Sequence, residues 1–174
     1  LASQIEPLLS GGTGSVSHTE EVPSFLPDRF EPGTPNIPGI LGLHAALCDL
    51  EQTDMGKLHQ HELELTRYFI NGLMQMDPSE STLRAIGKHN TIERTSVVSV
   101  QTLQTDMARV AYEMDDTYGI MTRVGLHCAP SAHKTLGTYP EGTIRFSFGP
   151  ENTHHEVDLA LHALAEITGS PYHL

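Results

Sequence analysis

From Ile40 the apolar positions recur at helical spacing: Leu41, Leu43, Leu47 and Leu50 fall at separations that mix 3, 4 and 7, which predicts a helix. A second helix is predicted over Met55 to Met76, with Leu58, Leu63, Leu65, Phe69, Ile70 and Leu73 as its apolar stripe. "MDPSES" interrupts it, and the period then shortens. "TLRAIGKH" and "RTSVVSVQTL" are short, partly β-branched and bounded by polar turns, so they predict strands. "TDMARVAYEMDDTYG" returns to helical spacing, with Thr105 or Asp106 as N-cap and Gly119 as the stop. "IMTRVGLHC" and "GTIRFSFG" are again strand-like, and "NTHHEVDLALHALAEITG" predicts a capped amphipathic helix ending at Gly169. The order is helix, helix, strand, strand, helix, strand, strand, helix. That order predicts a small α/β (α+β) domain in which the helices pack on one face of a small sheet.

The first 38 residues follow neither period. "GGTGS" and "VPSFLPDRFEPGTPNIPG" are dense in Gly and Pro, which exclude long regular elements because Pro lacks a donor and Gly tolerates positive φ. Phe25, Leu26, Arg29 and Phe30 are more than a solvated linker carries, so an ordered extended segment over 1–38 is expected ahead of a packed unit over 39–174. The chain opens on "LASQIEPLLSGG", with no initiator methionine and no cap ahead of the apolar residues, and is expected to be a piece of a longer protein.

Charge narrows the partners. The formal net charge is −12 and no Lys/Arg cluster occurs, so neither nucleic acid nor an anionic membrane is an expected partner. The two cysteines, Cys48 and Cys128, do not make a disulfide framework, and no apolar run is long enough to span a bilayer. A reduced, cytoplasmic protein is the expectation.

Candidate chemistry centres on "GLHCAP". Cys128 follows a predicted strand, where a loop held by a rigid sheet can present a side chain. The thiolate is the reactive form, and His127 or Arg123 beside it favours it by charge; equally, a free cysteine is among the residues most often buried as a small apolar group. A metal set of His127, Cys128 and His133, with His154 and His155 further on, is weaker, because no CxxC pair accompanies it, and no metal is expected. "GGTGS", Gly11 to Ser15, has the composition of a phosphate-cradling turn but lacks the GK[ST] of a P-loop. In "EPGTPN", the hydroxyl of Thr34 beside Gly33 can reach a phosphate or bond its own backbone in a turn. Arg145 alternates with apolar neighbours on a predicted strand and suits a bidentate carboxylate clamp or a structural ion pair.

Taken in order, "PLLSGGTGS", "LPDRFEPGTPNIPGILGLHAAL", "RVGLHCAPSAHKTLGT" and "GTIRFSFGPENTHHEVD" resemble the C-terminal part of the cysteine desulfurases, within the class V aminotransferases. The resemblance covers nearly the whole chain and is thinnest between about Asp49 and Thr122. It implies a fold type I enzyme using pyridoxal 5′-phosphate, which converts L-cysteine to L-alanine and leaves the sulfur as a persulfide on an enzyme cysteine. By that resemblance Cys128 is the persulfide acceptor, Arg145 holds the substrate α-carboxylate, and Arg123 and His127 lie at the substrate site. Thr34 with Gly33 reaches the cofactor phosphate across a homodimer interface. Residues 1–38 then correspond to the end of the large cofactor-binding domain with its interface loop, and 39–174 to the small domain. Asn152 and Thr153 match the family's Asn-Thr pair, whereas Glu151 stands where many members carry an aromatic residue.

The family's cofactor lysine lies in a Ser/Gly-His-Lys motif ahead of "PLLSGGTGS", and none of Lys57, Lys88 or Lys134 stands in such a motif, Lys134 following a histidine only in "SAHKTLGT", so the chain by itself is expected to be inactive. A sulfur-acceptor protein is an expected partner of the family. The alternatives are a selenocysteine lyase or other class V enzyme, and, in a different class, a non-catalytic module binding a metal or a protein through the "HCAP" loop.

Overall fold

A computed structural model describes residues 1–16 and 18–171, which divide into two compact units, Leu1–Thr53 and Asp54–Leu174. The first unit holds a single 3₁₀ turn, Ala2–Gln4, the Gly/Pro-rich segment and helix α1, Ile37–Gln52. α1 starts three residues earlier than the apolar pattern places it, because the Asn36 side chain accepts the Gly39 amide at 3.1 Å and Pro38 occupies the first turn, where its missing N–H costs nothing. The segment before it is ordered by specific bonds: Arg29 donates to the Ile5 carbonyl at 3.0 Å, and the Gly33 amide donates to the Gly12 carbonyl at 2.8 Å.

The second unit contains α2, Met55–Met76; β1, Leu83–Ile86; β2, Val97–Thr102; α3, Met107–Tyr118; β3, Arg123–Gly125; α4, Pro130–Leu136; β4, Thr143–Ser147; and α5, His154–Thr168. The chain's own capping residues set most of these ends. Asp54 accepts the Gly56 and Lys57 amides, and Asp106 accepts the Arg109 amide. Thr153 and Glu156 form a reciprocal capping box. Gly119 and Gly169 close α3 and α5 at φ 68° and 71°, a left-handed conformation in which a side chain would be strained. α4 is not among the elements the sequence pattern predicts; seven residues give too little periodicity to read, and Pro130 and the left-handed Gly137 delimit it only once the fold is known.

The four strands form one antiparallel sheet in the order β1-β2-β4-β3. α2 lies against β1 and β2, α3 against β4 and β3, and α5 packs between the two helices. Alternation along the strands directs Leu83, Val98, Val100, Ile144 and Phe146 to the helices, where they meet Leu65, Phe69, Val110, Met114, Leu161 and Leu164 in one buried cluster. Phe69 is at its centre, with ring centroids 4.8 Å from Phe146 and 5.3 Å from Phe148. Each such fully buried side chain contributes about 1.5–3 kcal/mol by leaving water. Of the stripe expected on α2, Leu65, Phe69, Ile70 and Leu73 are buried, while Leu58 and Leu63 are only half-buried. Gly72 allows the close approach of α2 and α5, since a Cβ there would meet Leu161 Cδ2 at 2.9 Å. α2, α3 and α5 thus cover one face of the sheet, and the opposite face carries the candidate site.

Asp77 turns the chain from α2 into β1. Its carboxylate accepts the Thr82 amide at 2.6 Å, the Leu83 amide at 3.0 Å and the Ser79 hydroxyl at 2.8 Å. Burial by itself would push this carboxyl up, but the bonds from Leu83, Thr82 and Ser79 outweigh it and hold the group well below the usual carboxylate range. A depressed carboxyl stabilises the fold above its unfolded value near 4 and loses that contribution as pH falls further. Asp77→Ala is therefore expected to cost roughly 2–3 kcal/mol at pH 7 and to flatten the loss of stability below about pH 4, as measured by urea unfolding across that range.

Candidate active site

The face of the sheet opposite α2, α3 and α5 reads in two rows. Strand register sets Arg123, Arg145 and Ser99 side by side on β3, β4 and β2, and directly opposite residues on paired strands share a face. Two residues along, the same face carries Thr143, opposite Gly125, and the Gln101–Arg84 pair. Like charges directly opposite are unfavourable, yet among the described residues neither Arg123 nor Arg145 makes an ion pair. The Arg145 Nε atom is buried without a partner. In a chain of net charge −12, two facing guanidinium groups left without a carboxylate make a site suited to an anion.

Cys128 stands at the end of this face. Between β3 and α4 the Ala129 amide donates to the Leu126 carbonyl at 2.8 Å, closing a turn whose two central residues are His127, φ 50°, and Cys128, φ 60°. Positive φ at both central positions is the type I′ pattern, which ordinarily selects Asn and Gly. The thiol is exposed, which settles the question left open by the sequence against a buried apolar role.

His127 faces inward. Its Nε2 lies 3.2 Å from the Thr143 hydroxyl, its Nδ1 is buried without a partner, and its ring centroid is 5.7 Å from that of His133. His133 is buried and is held by the Thr138 hydroxyl at 2.7 Å. Burial first, then the charges of Arg145, His133 and Arg123, push His127 below the ordinary histidine value, against the bond from Thr143. At neutral pH it is therefore an uncharged donor and acceptor.

The fold brings His127 beside Arg123 and Arg145, and Cys128 is the next residue of the same turn. His154 does not join them: it belongs to α5 and faces Tyr68 and Glu64 of α2. Among the described residues no three of His, Cys, Asp and Glu converge as a metal set. Gly33 and Thr34 lie in the first unit, where the Gly33 amide joins "EPGTPN" to "GGTGS", two loops the sequence treats as separate candidates. Thr143, Gln101 and Gly142 escaped the reading of the sequence. Alternation in "TIRFSF" could have placed Thr143 on the face of Arg145, but no local signal points to the other two.

Residues 1–160 match the family model for class-V aminotransferases. The chain belongs to the aminotransferase class-V family. It is 33% identical over 168 residues to a probable cysteine desulfurase of Staphylococcus epidermidis, an alignment that takes in 95% of this chain and 39% of that protein. A probable cysteine desulfurase of Pyrococcus abyssi is 34% identical over 168 residues, with 95% and 40% of the two chains covered. The apo cysteine desulfurase of Thermococcus onnurineus NA1 superposes with a TM-score of 0.71 at 30% identity, over 94% of this chain and 38% of that one. The chain thus spans about two fifths of the length of these class-V relatives.

Because the folded histidine is depressed, the stability due to neutral His127 is present above the unfolded value near 6.5 and is lost as pH falls through it. Wild-type chain is expected to lose stability between pH 7 and pH 5 in urea titrations. His127→Gln, which cannot take up the proton, is expected to lose less over the same interval.

Proposed function

We propose that this chain is the C-terminal portion of a cysteine desulfurase that converts L-cysteine to L-alanine and carries the sulfur as a persulfide on Cys128. One observation supports it above the others: an exposed thiol on a left-handed turn, flanked by strands whose facing arginines have no carboxylate partner among the described residues. The naming of the relatives as cysteine desulfurases agrees with that chemistry.

Arg145, half-buried and positioned by the pairing of β4 with both neighbours, holds the α-carboxylate of the substrate, and Arg123 across the ladder adds to the field. Cys128 attacks the substrate sulfur. A sulfur–sulfur bond forms as the carbon–sulfur bond breaks, the carbon keeps the electron pair and takes a proton to become the methyl of alanine, and Cys128 ends as the persulfide. Neutral His127, anchored on Thr143, keeps the floor of the turn without adding a charge beside the incoming sulfur.

The cofactor of this reading is pyridoxal 5′-phosphate, which when bound supplies the electron sink for the substrate carbon. The residues here fit a contact with its phosphate: Gly33 at φ 90° has open space at its Cα, and the exposed Thr34 hydroxyl follows it. In this reading they serve the neighbouring subunit of a homodimer. They do not fit its covalent attachment, because Lys57 and Lys88 pair with Asp54 and Glu93 at the surface, and Lys134 lies over the Tyr139 ring. The reading also includes a sulfur-acceptor protein and a cytoplasmic setting; no helix among the described residues is long and apolar enough to cross a membrane.

The test is steady-state sulfide and alanine release by the full-length protein. Cys128→Ser is expected to lower kcat with cysteine by more than about 100-fold, and Cys48→Ser to leave it unchanged. Arg145→Ala, which loses a charged bidentate clamp of roughly 2–3 kcal/mol, is expected to lower kcat/KM about 30- to 150-fold. Undiminished alanine production by Cys128→Ser would sink the persulfide assignment. A preference for selenocysteine unaffected by that change would indicate a selenocysteine lyase instead.

A further inference from the structure

The turn that presents Cys128 is costly backbone. Two consecutive non-glycine residues in the left-handed region cost roughly 1–2 kcal/mol each, and such a conformation persists only where its surroundings determine it. Neither Cys128 nor the short helix after it supplies that: α4 has no side-chain cap at Ala129, and the thiol is exposed.

The constraint comes from the other side of β4. Gly142, φ 81°, lies against the backbone of Gly125, which leads into the turn. A Cβ on Gly142 would sit 2.8 Å from the Gly125 Cα and overlap its carbonyl group. The Gly142 peptide is fixed at both ends. Its amide donates to the Thr138 carbonyl at 2.7 Å, and its carbonyl accepts from the Gln101 side-chain amide at 3.3 Å. Gln101 is buried, and Arg84 donates to its side-chain oxygen, which leaves its nitrogen pointing to Gly142. The set closes on itself, since Thr138 holds His133, whose ring abuts His127, and His127 is bonded to Thr143, the neighbour of Gly142.

We propose that Gly142, clamped by Gln101 and Arg84, is a positioning residue for the Cys128 turn, holding His127 and Cys128 in their left-handed conformation. It touches neither substrate nor reacting atoms; it acts by leaving room for the Gly125 backbone and no room for the turn to relax inward. That the turn serves sulfur transfer rests on the desulfurase reading, but the clamp itself does not.

Imidazole titration by NMR on the 174-residue chain tests the clamp without substrate or cofactor. The groups facing His127 are Arg123 of β3, Arg145 of β4 and His133 of α4, and its depressed titration depends on its staying half-buried among them. In Gly142→Ala, and separately in Gln101→Met, which keeps the side-chain volume and adds no charge, the His127 midpoint is expected to rise towards that of an ordinary histidine. Gly119→Ala is the control. That glycine has the same left-handed backbone, φ 68°, and a Cβ placed on it would meet nothing within 4 Å, so the change should lower the melting temperature and leave the His127 midpoint in place. If Gly142→Ala does not fold, Gln101→Met decides by itself. A His127 midpoint unmoved in the folded variants, or moved as far by Gly119→Ala, overturns the proposal. An inactive full-length enzyme with the expected midpoint shifts would instead count against the desulfurase reading.

Discussion

Everything at the site depends on how β4 is paired. Lying between β2 and β3, it has neighbours on both edges, so a slip of one residue would exchange its two faces. In the observed register Ile144 and Phe146 enter the core and Thr143 and Arg145 face away from it. The apolar residues enforce that choice, because exposing Ile144 and Phe146 while burying an unpaired arginine would cost several kcal/mol. The position of the guanidinium group is therefore set by the hydrophobic side of the strand, and no local bond to Arg145 is needed to aim it.

The same register produces an electrostatic conflict. Arg123 and Arg145 face each other across β3 and β4, and His127 is kept neutral beside them. A fold selected for stability alone would place a carboxylate there. The conflict is tolerable because β3 is a short, exposed edge strand whose guanidinium reaches solvent, while the buried network of Gln101, Thr143, Thr138 and His133 makes the adjoining row rigid. An anion placed between the two guanidinium groups would relieve the repulsion.

Much of the fold was legible along the chain. Caps announced α3 and α5, since Asp106, Gly119, the Thr153–Glu156 box and Gly169 act through neighbours a few residues away. The boundaries of α2 were readable for the same reason, although its apolar stripe overstates the core: Leu58 and Leu63 lie towards the helix end away from the buried cluster. α1 began earlier than its apolar spacing suggests, because its start is set by the polar Asn36 cap and not by the stripe. α4 was not legible at all, being too short for a period to develop.

Within the site, the residues with intrinsic chemistry stood out in the sequence: a thiol, two strand arginines and a histidine, in the order shared with a known family. Their order is what suggested a shared site. Only the folded chain decided where they are, because strand register pairs Arg123 with Arg145 from positions far apart in sequence, and because His127 and Cys128 adopt a conformation their own side chains disfavour. The residues that impose this, Gly142, Gln101 and Arg84, carry no signature of their own. Their effect is a matter of excluded volume and of which way one amide points, and both arise only when distant segments of backbone come into contact.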